Sequence, residues 1–229
     1  MFNDRIDLSA EEWKDLVYSE LDSTLPDGRI LQYLAQAPTL LRRARRTLQA
    51  GQDTTALCRE IMSIYQACKR LLDEMKSRSV DHDLANLGLY NADKRTRDFT
   101  RDILTAHNNR TYGIGLTIVF FLHYILSGLG AHDDTTIFDA DDYANEALDL
   151  AELSAIYRPL SAGYMIFCLQ AAWTAATDLE KRNRLIVAYA DFQSDFQIGD
   201  EKQLLDGLKW ISKYLDLEDT QSPSTNTNV

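Results

Sequence analysis

One histidine stands inside the most apolar stretch of this chain. His123 lies in YGIGLTIVFFLHYILSGL, residues 112–129. At helical spacing, Leu116, Val119, Phe120 and Ser127 fall on its face. An imidazole in such surroundings has its charged form disfavoured and is suited to act as a general base. It is equally suited to a structural role, neutral and hydrogen-bonded to a tyrosine or a backbone carbonyl. Both readings are open. Tyr112, Tyr164 and Trp173 are close enough in sequence to line a pocket around it; the last two belong to a second segment, SAGYMIFCLQAAWTAATD, apolar on nearly every side. Arg158 sits at the junction before that segment, where it either orients a ligand or caps helix carbonyls. If the chain is an enzyme, His123 is the expected catalytic residue, in an apolar cavity between two helices.

Other reactive groupings fail on detail. The acidic run HDDTTIFDADDY would need Gly at its sixth and Glu at its twelfth position to be an EF-hand; counted from Asp133 these are Phe138 and Ala144. A DDxxD magnesium motif would need an acid at Ile137. The run reads instead as N-capping, with Asp139, Asp141 and Asp142 at the positive end of the next helix. Asp81, His82 and Asp83 would need further ligands from elsewhere, and no HExxH or Cys/His zinc spacing occurs. Gly113 and Gly115 lack the third glycine and preceding strand of a phosphate loop, and there is no GxSxG. No metal and no cofactor is expected.

The composition narrows the class. Net charge is −11 with a pI near 4.8, which repels phosphates, so direct nucleic-acid binding is not expected. Three cysteines in no framework suggest reduced thiols inside the cell, in nucleus or cytoplasm. The N-terminus, MFNDRIDLSAEEW, has no basic region followed by an apolar run, so no signal peptide is expected. Residues 112–129 are nearly long enough to cross a bilayer but carry His123, Tyr124 and three glycines; they read as a buried core helix, not a membrane span.

The elements needed to position these residues are all helical. A capping box at Ser9–Glu12 opens a helix to about Thr24, with Trp13, Leu16, Val17 and Leu21 on its buried face. Leu25-Pro26-Asp27-Gly28 reads as a turn, followed by a short helix over Arg29–Ala37 that Pro38 stops. From Thr39 an amphipathic helix ends at Gly51; its Arg42, Arg43, Arg45 and Arg46 form a solvated face or a nuclear-localisation patch. Between Thr55 and Met75 an apolar stripe of Leu57, Ile61, Ile64, Tyr65, Cys68, Leu71, Leu72 and Met75 predicts a helix that packs on residues 112–129 or seeds a homodimer. Residues 77–110 read as a long loop, with a helix recovered from Arg95 to His107. Helices are then expected over 140–157, 161–177, from Asp178, and over 201–214, ahead of a polar, disordered tail. The expected architecture is all-α: a single multi-helix domain over 1–215 around a buried central helix at about 112–129, with the tail at 216–229.

Three blocks add a resemblance. TYGIGLTIVFFLHYIL, then YANEALDLAELSAIYRPLSAGYMIFCLQAAWTAATD, then YADFQSDF are similar to the C-terminal helical region of fungal Zn(II)2Cys6 transcription factors. About 85 residues, Tyr112 to Phe196, carry the likeness, and its motifs are packing motifs. The resemblance implies the regulatory half of such a protein, acting through a protein partner or a small effector. The six-cysteine, two-zinc DNA reader of that family has no counterpart among these three cysteines. Two other roles stand beside it: a metal-independent cyclase or isomerase of fungal secondary metabolism with an apolar helical pocket, and a dimerisation partner for a full-length regulator.

Overall fold

The computed structural model describes residues 25–131 and 140–196; the expected helices at 9–24 and 201–214, the tail, and the acidic run up to Asp139 lie outside them. The described residues form seven α-helices and no strand, so the fold is an all-α bundle.

Helix α1 spans Pro26–Gln49. Pro26 occupies its first turn, where the missing N–H is one of the helix's orphan donors anyway. The expected turn at Leu25–Gly28 is therefore the start of a helix, with Gly28 buried inside it. Pro38 does not stop the helix either. Its ring is exposed, and the carbonyl it leaves without a partner belongs to Leu34, on the solvent side. Ile30, Ala37, Leu40, Leu41 and Ala44 are buried on both sides of the proline. Each large one contributes roughly 1.5–3 kcal/mol, together more than the ~3 kcal/mol an interior proline costs. Gly51, at φ 59°, ends the helix as expected.

Helix α2, Thr55–Ser77, buries Leu57, Ile61, Tyr65, Cys68, Leu71 and Leu72 of the predicted stripe, while Ile64 and Met75 are half-buried at its edge. The expected loop over 77–110 is mostly helix. α3 covers Val80–Asn86, a 3-10 turn covers Leu89–Asn91, and α4 begins at Lys94. Asp93 caps α4 by accepting from the Thr96 backbone N–H at 3.1 Å and its hydroxyl at 2.6 Å. One short polar helix followed by a charged one lacks an apolar stripe, which is why the pattern reads as loop.

α4 runs unbroken over Lys94–Gly128 and carries the apolar stretch. Thr111 is its first buried residue; Leu116, Ile118, Val119, Phe120, Leu122 and Ile125 are sealed in the core. It is the one described helix long and apolar enough to cross a membrane, and 56% of its apolar window is buried by this chain's other helices. α1 and α2 pack on it, as do α5 (Ala140–Ser154) and α6 (Ala162–Ala175); α7 (Leu179–Gln193) lies on α5 and α6.

The two glycines that open the apolar stretch explain how four helices reach one axis. A Cβ on Gly113 would sit 2.9 Å from Tyr164 Cδ2 on α6 and 3.1 Å from Leu150 Cδ2 on α5. A Cβ on Gly115 would sit 2.7 Å from Leu72 on α2 and 2.9 Å from Ile30 on α1. Both are close-packing glycines, facing opposite pairs of neighbours.

On α5, Ala144, Ala147, Leu148 and Ala151 are buried, but the helix expected to reach 157 ends at Ser154, and Ala155 is exposed in the following 3-10 turn. Asp141 does more than face the α5 dipole. Its carboxylate accepts from the backbone N–H of Thr177 at 2.9 Å and of Asp178 at 3.1 Å, tying the α6–α7 turn to α5. Burial pushes this carboxyl up, yet those hydrogen bonds hold it below its ordinary range. Asp178 caps α7 through the Lys181 N–H, as expected. Cys68 and Cys168 are buried thiols that burial pushes up to about 12, which makes them packing residues rather than nucleophiles.

Candidate functional site

A cleft of about 500 Å³ opens where the start of α1, the end of α2, the middle of α4 and the second half of α5 meet. That size suits a small ligand. Its walls are Pro26, Met75, Leu150 and Leu153; Leu153 is 63% exposed, an apolar side chain facing the opening.

The polar lining is organised by hydrogen bonds. Lys76 Nζ donates to Glu146 Oε1 at 2.7 Å, and the Tyr112 hydroxyl donates to Glu146 Oε2. The Lys76 ammonium also lies 5.9 Å from the centroids of the Tyr112 and Tyr143 rings. Burial, then the Glu146 carboxylate, push the Tyr112 phenol well above its ordinary range, so it remains a donor. Asp27 is held from α4: His107 Nε2 lies 2.6 Å from its Oδ2, and the Thr111 hydroxyl donates to Oδ1. Arg78 pairs with Asp83 at 2.9 Å.

Two half-buried side chains in this lining are unspent. Asn108 and Asn109, consecutive on α4, make no side-chain hydrogen bond among the described residues. Each amide offers donors and an acceptor at the cleft wall. In sequence these two asparagines belong to no motif that marks them as a site.

Of the five residues predicted to line one pocket, Tyr112 lines this cleft and the others do not. Tyr164 packs against Gly113, and its hydroxyl donates to Ser154 Oγ at 2.8 Å. Trp173 is nearly buried, with the Arg182 guanidinium 4.2 Å over its ring. The Arg158 side chain does not line this cleft, while its backbone N–H caps the preceding 3-10 turn by donating to the Ala155 carbonyl at 3.3 Å. It reaches the end of α7, donating to the Asp191 carboxylate at 2.7 Å and carbonyl at 2.6 Å, and to Asp195 at 2.6 and 2.7 Å. Its guanidinium also lies 5.0 Å from the Phe192 ring. His123 is half-buried on α4, and burial pushes its imidazole below the ordinary value.

Arg43 forms a two-pronged pair with Glu60 at 2.6 and 2.7 Å, and Arg42 and Arg46 are exposed. Among the described residues no group of three His, Cys, Asp or Glu is placed to hold a metal ion.

No family model, curated protein or solved structure matches this chain.

Proposed function

We propose that this chain is a regulatory helical module that binds a small effector in the cleft between α1, α2, α4 and α5. The observation that carries the reading is the pair of unspent amides, Asn108 and Asn109, set in an apolar-walled cleft of about 500 Å³. Half-buried amides with no protein partner are open to solvent, and an effector that takes the place of that water with its own hydrogen bonds gains orientation in the cleft. The likeness of residues 112–196 to the C-terminal region of fungal Zn(II)2Cys6 regulators supports the same reading, because such a region works through effectors and partners. On this reading the protein is a fungal one working in the nucleus or cytoplasm, and the −11 charge leaves DNA contact to another chain or segment. The isomerase or cyclase reading has weaker support, because His123 does not line this cleft and, of the cleft's acid–base groups, all but the exposed Asp149 are held by partners.

The experiment is affinity selection. Wild-type protein and Asn109→Trp, which fills the cleft, are incubated with a fungal metabolite extract, and retained compounds are identified by mass spectrometry. At least one compound should be retained by the wild type and lost from the variant. Identical retention, or none by the wild type, removes the reading.

A further inference from the structure

We infer that the cleft takes a monocationic amphiphile: an amine on a compact apolar or aromatic body that also offers a hydrogen-bonding edge. The inference rests on the effector reading above and follows from the charges that remain unpaired. Five charged side chains line the cleft: Asp27, Lys76, Arg78, Glu146 and Asp149. Lys76 and Glu146 hold each other at 2.7 Å, and the second oxygen of Glu146 is taken by Tyr112. Arg78 is held by Asp83, whose carboxylate is buried; drawing Arg78 away would strand that charge. Asp27 is satisfied on both oxygens by His107 and Thr111.

Asp149 is the exception. It stands on α5 one turn beyond Glu146, exposed, with no partner among the described residues. The charges of Lys76 and Arg78 are each already balanced by a carboxylate, so an anionic ligand would bring a second negative charge up to Glu146 or Asp83. A cationic one meets an open carboxylate and breaks nothing. The field of a chain at −11 further concentrates cations at its surface. Beside Asp149, the Leu150 and Leu153 side chains and the adaptable Met75 thioether supply an apolar seat. Asn108 and Asn109 supply the partners for the ligand's polar edge.

Three probes of one shape and different charge test this: tryptamine, tryptophol and indole-3-propionate, titrated into the full chain by calorimetry at low salt. Tryptamine should bind about three- to fivefold more tightly than tryptophol, the scale of one exposed ion pair, and indole-3-propionate more weakly than either. Asp149→Asn should remove the advantage of tryptamine over tryptophol. Asp142→Asn, an exposed acid on α5 outside the cleft lining, should change neither. Tryptophol binding that Asn109→Trp abolishes, with no preference for tryptamine, leaves the cleft a ligand site and overturns the charge assignment. An advantage for the amine that survives Asp149→Asn overturns it too. Failure of all three probes to bind in a way that responds to Asn109→Trp overturns the inference and the effector reading together.

Discussion

Leu72 closes directly over Gly115: a methyl group on that glycine would lie 2.7 Å from Leu72 Cδ2, inside van der Waals contact. The approach of α2 to α4 is thus set by the absence of one carbon atom. Ile30 of α1 stands almost as near, at 2.9 Å, so the same point also fixes α1.

Gly115→Ala should therefore destabilise the fold. Overpacking costs about 1–3 kcal/mol, and the better helix propensity of alanine returns up to about 1 kcal/mol, so a net loss of about 1–2 kcal/mol is expected in urea unfolding. Gly163→Ala is the contrasting case. Nothing lies within 4 Å of its Cβ position, and its φ is not positive. There the substitution should stabilise by about 0.4–1 kcal/mol.

Pro38→Ala should also stabilise. The ring is exposed in mid-helix, so alanine restores an N–H for the Leu34 carbonyl without disturbing the buried stripe. The gain should be about 1–3 kcal/mol, the proline cost less the extra freedom given to the unfolded chain. An unchanged unfolding midpoint would mean that α1 has already relaxed around the ring.

His123 should leave a pH signature. Burial holds its pKa below the ordinary value, so the unfolded chain takes up the proton first as pH falls. The stability it contributes is present above the unfolded value of about 6.5 and is lost as pH drops through and below it. His123→Phe should flatten that part of the stability profile between about pH 7 and 5.5, where carboxylates contribute less. Equal slopes in the two proteins would place the titration elsewhere.

Arg158→Ala should free the end of α7. The guanidinium joins two carboxylates, a carbonyl and a ring there, and it holds the Asp195 carboxyl below its usual range. Amide exchange over residues 190–196 should rise about tenfold, the scale of one lost charge-assisted hydrogen bond. Asp195→Asn should loosen this end more than Asp191→Asn, because the Asp191 side chain is 62% exposed against 18% for Asp195. The Gly115 region should exchange as before.

The helices were legible in the sequence wherever one face repeats. Leu57 through Leu72 show the α2 stripe, and residues 112–129 show a helix buried on most sides. Local rules misled where packing overrides them: Pro38 forecasts a stop, but the stripe continues past it. They were silent where helices meet. Nothing near Asn108 forecasts Glu146 across the cleft, and nothing near Arg158 forecasts Asp195, 37 residues on. The predicted pocket drew on apolar neighbours in sequence, and apolar neighbours pack together, as Tyr164 does on Gly113. The cleft arises instead where the start of α1, the end of α2, the middle of α4 and the second half of α5 meet, and no single segment carries that pattern.

Helix α4 has one further consequence. It is about 52 Å long at 1.5 Å per residue, yet Lys94–Arg110 contains no buried residue and the core grips it only from Thr111 onward. Half of it is thus a stiff lever whose fulcrum is the turn bearing Asn108 and Asn109. A tilt of about 5° at that fulcrum displaces Lys94 by roughly 2 Å, given an arm of about 25 Å. The Arg101–Asp81 contact at 2.6 Å links that arm to α3. A molecule seated against two asparagines would in this way be felt most strongly where it does not touch, at the far end of the rod.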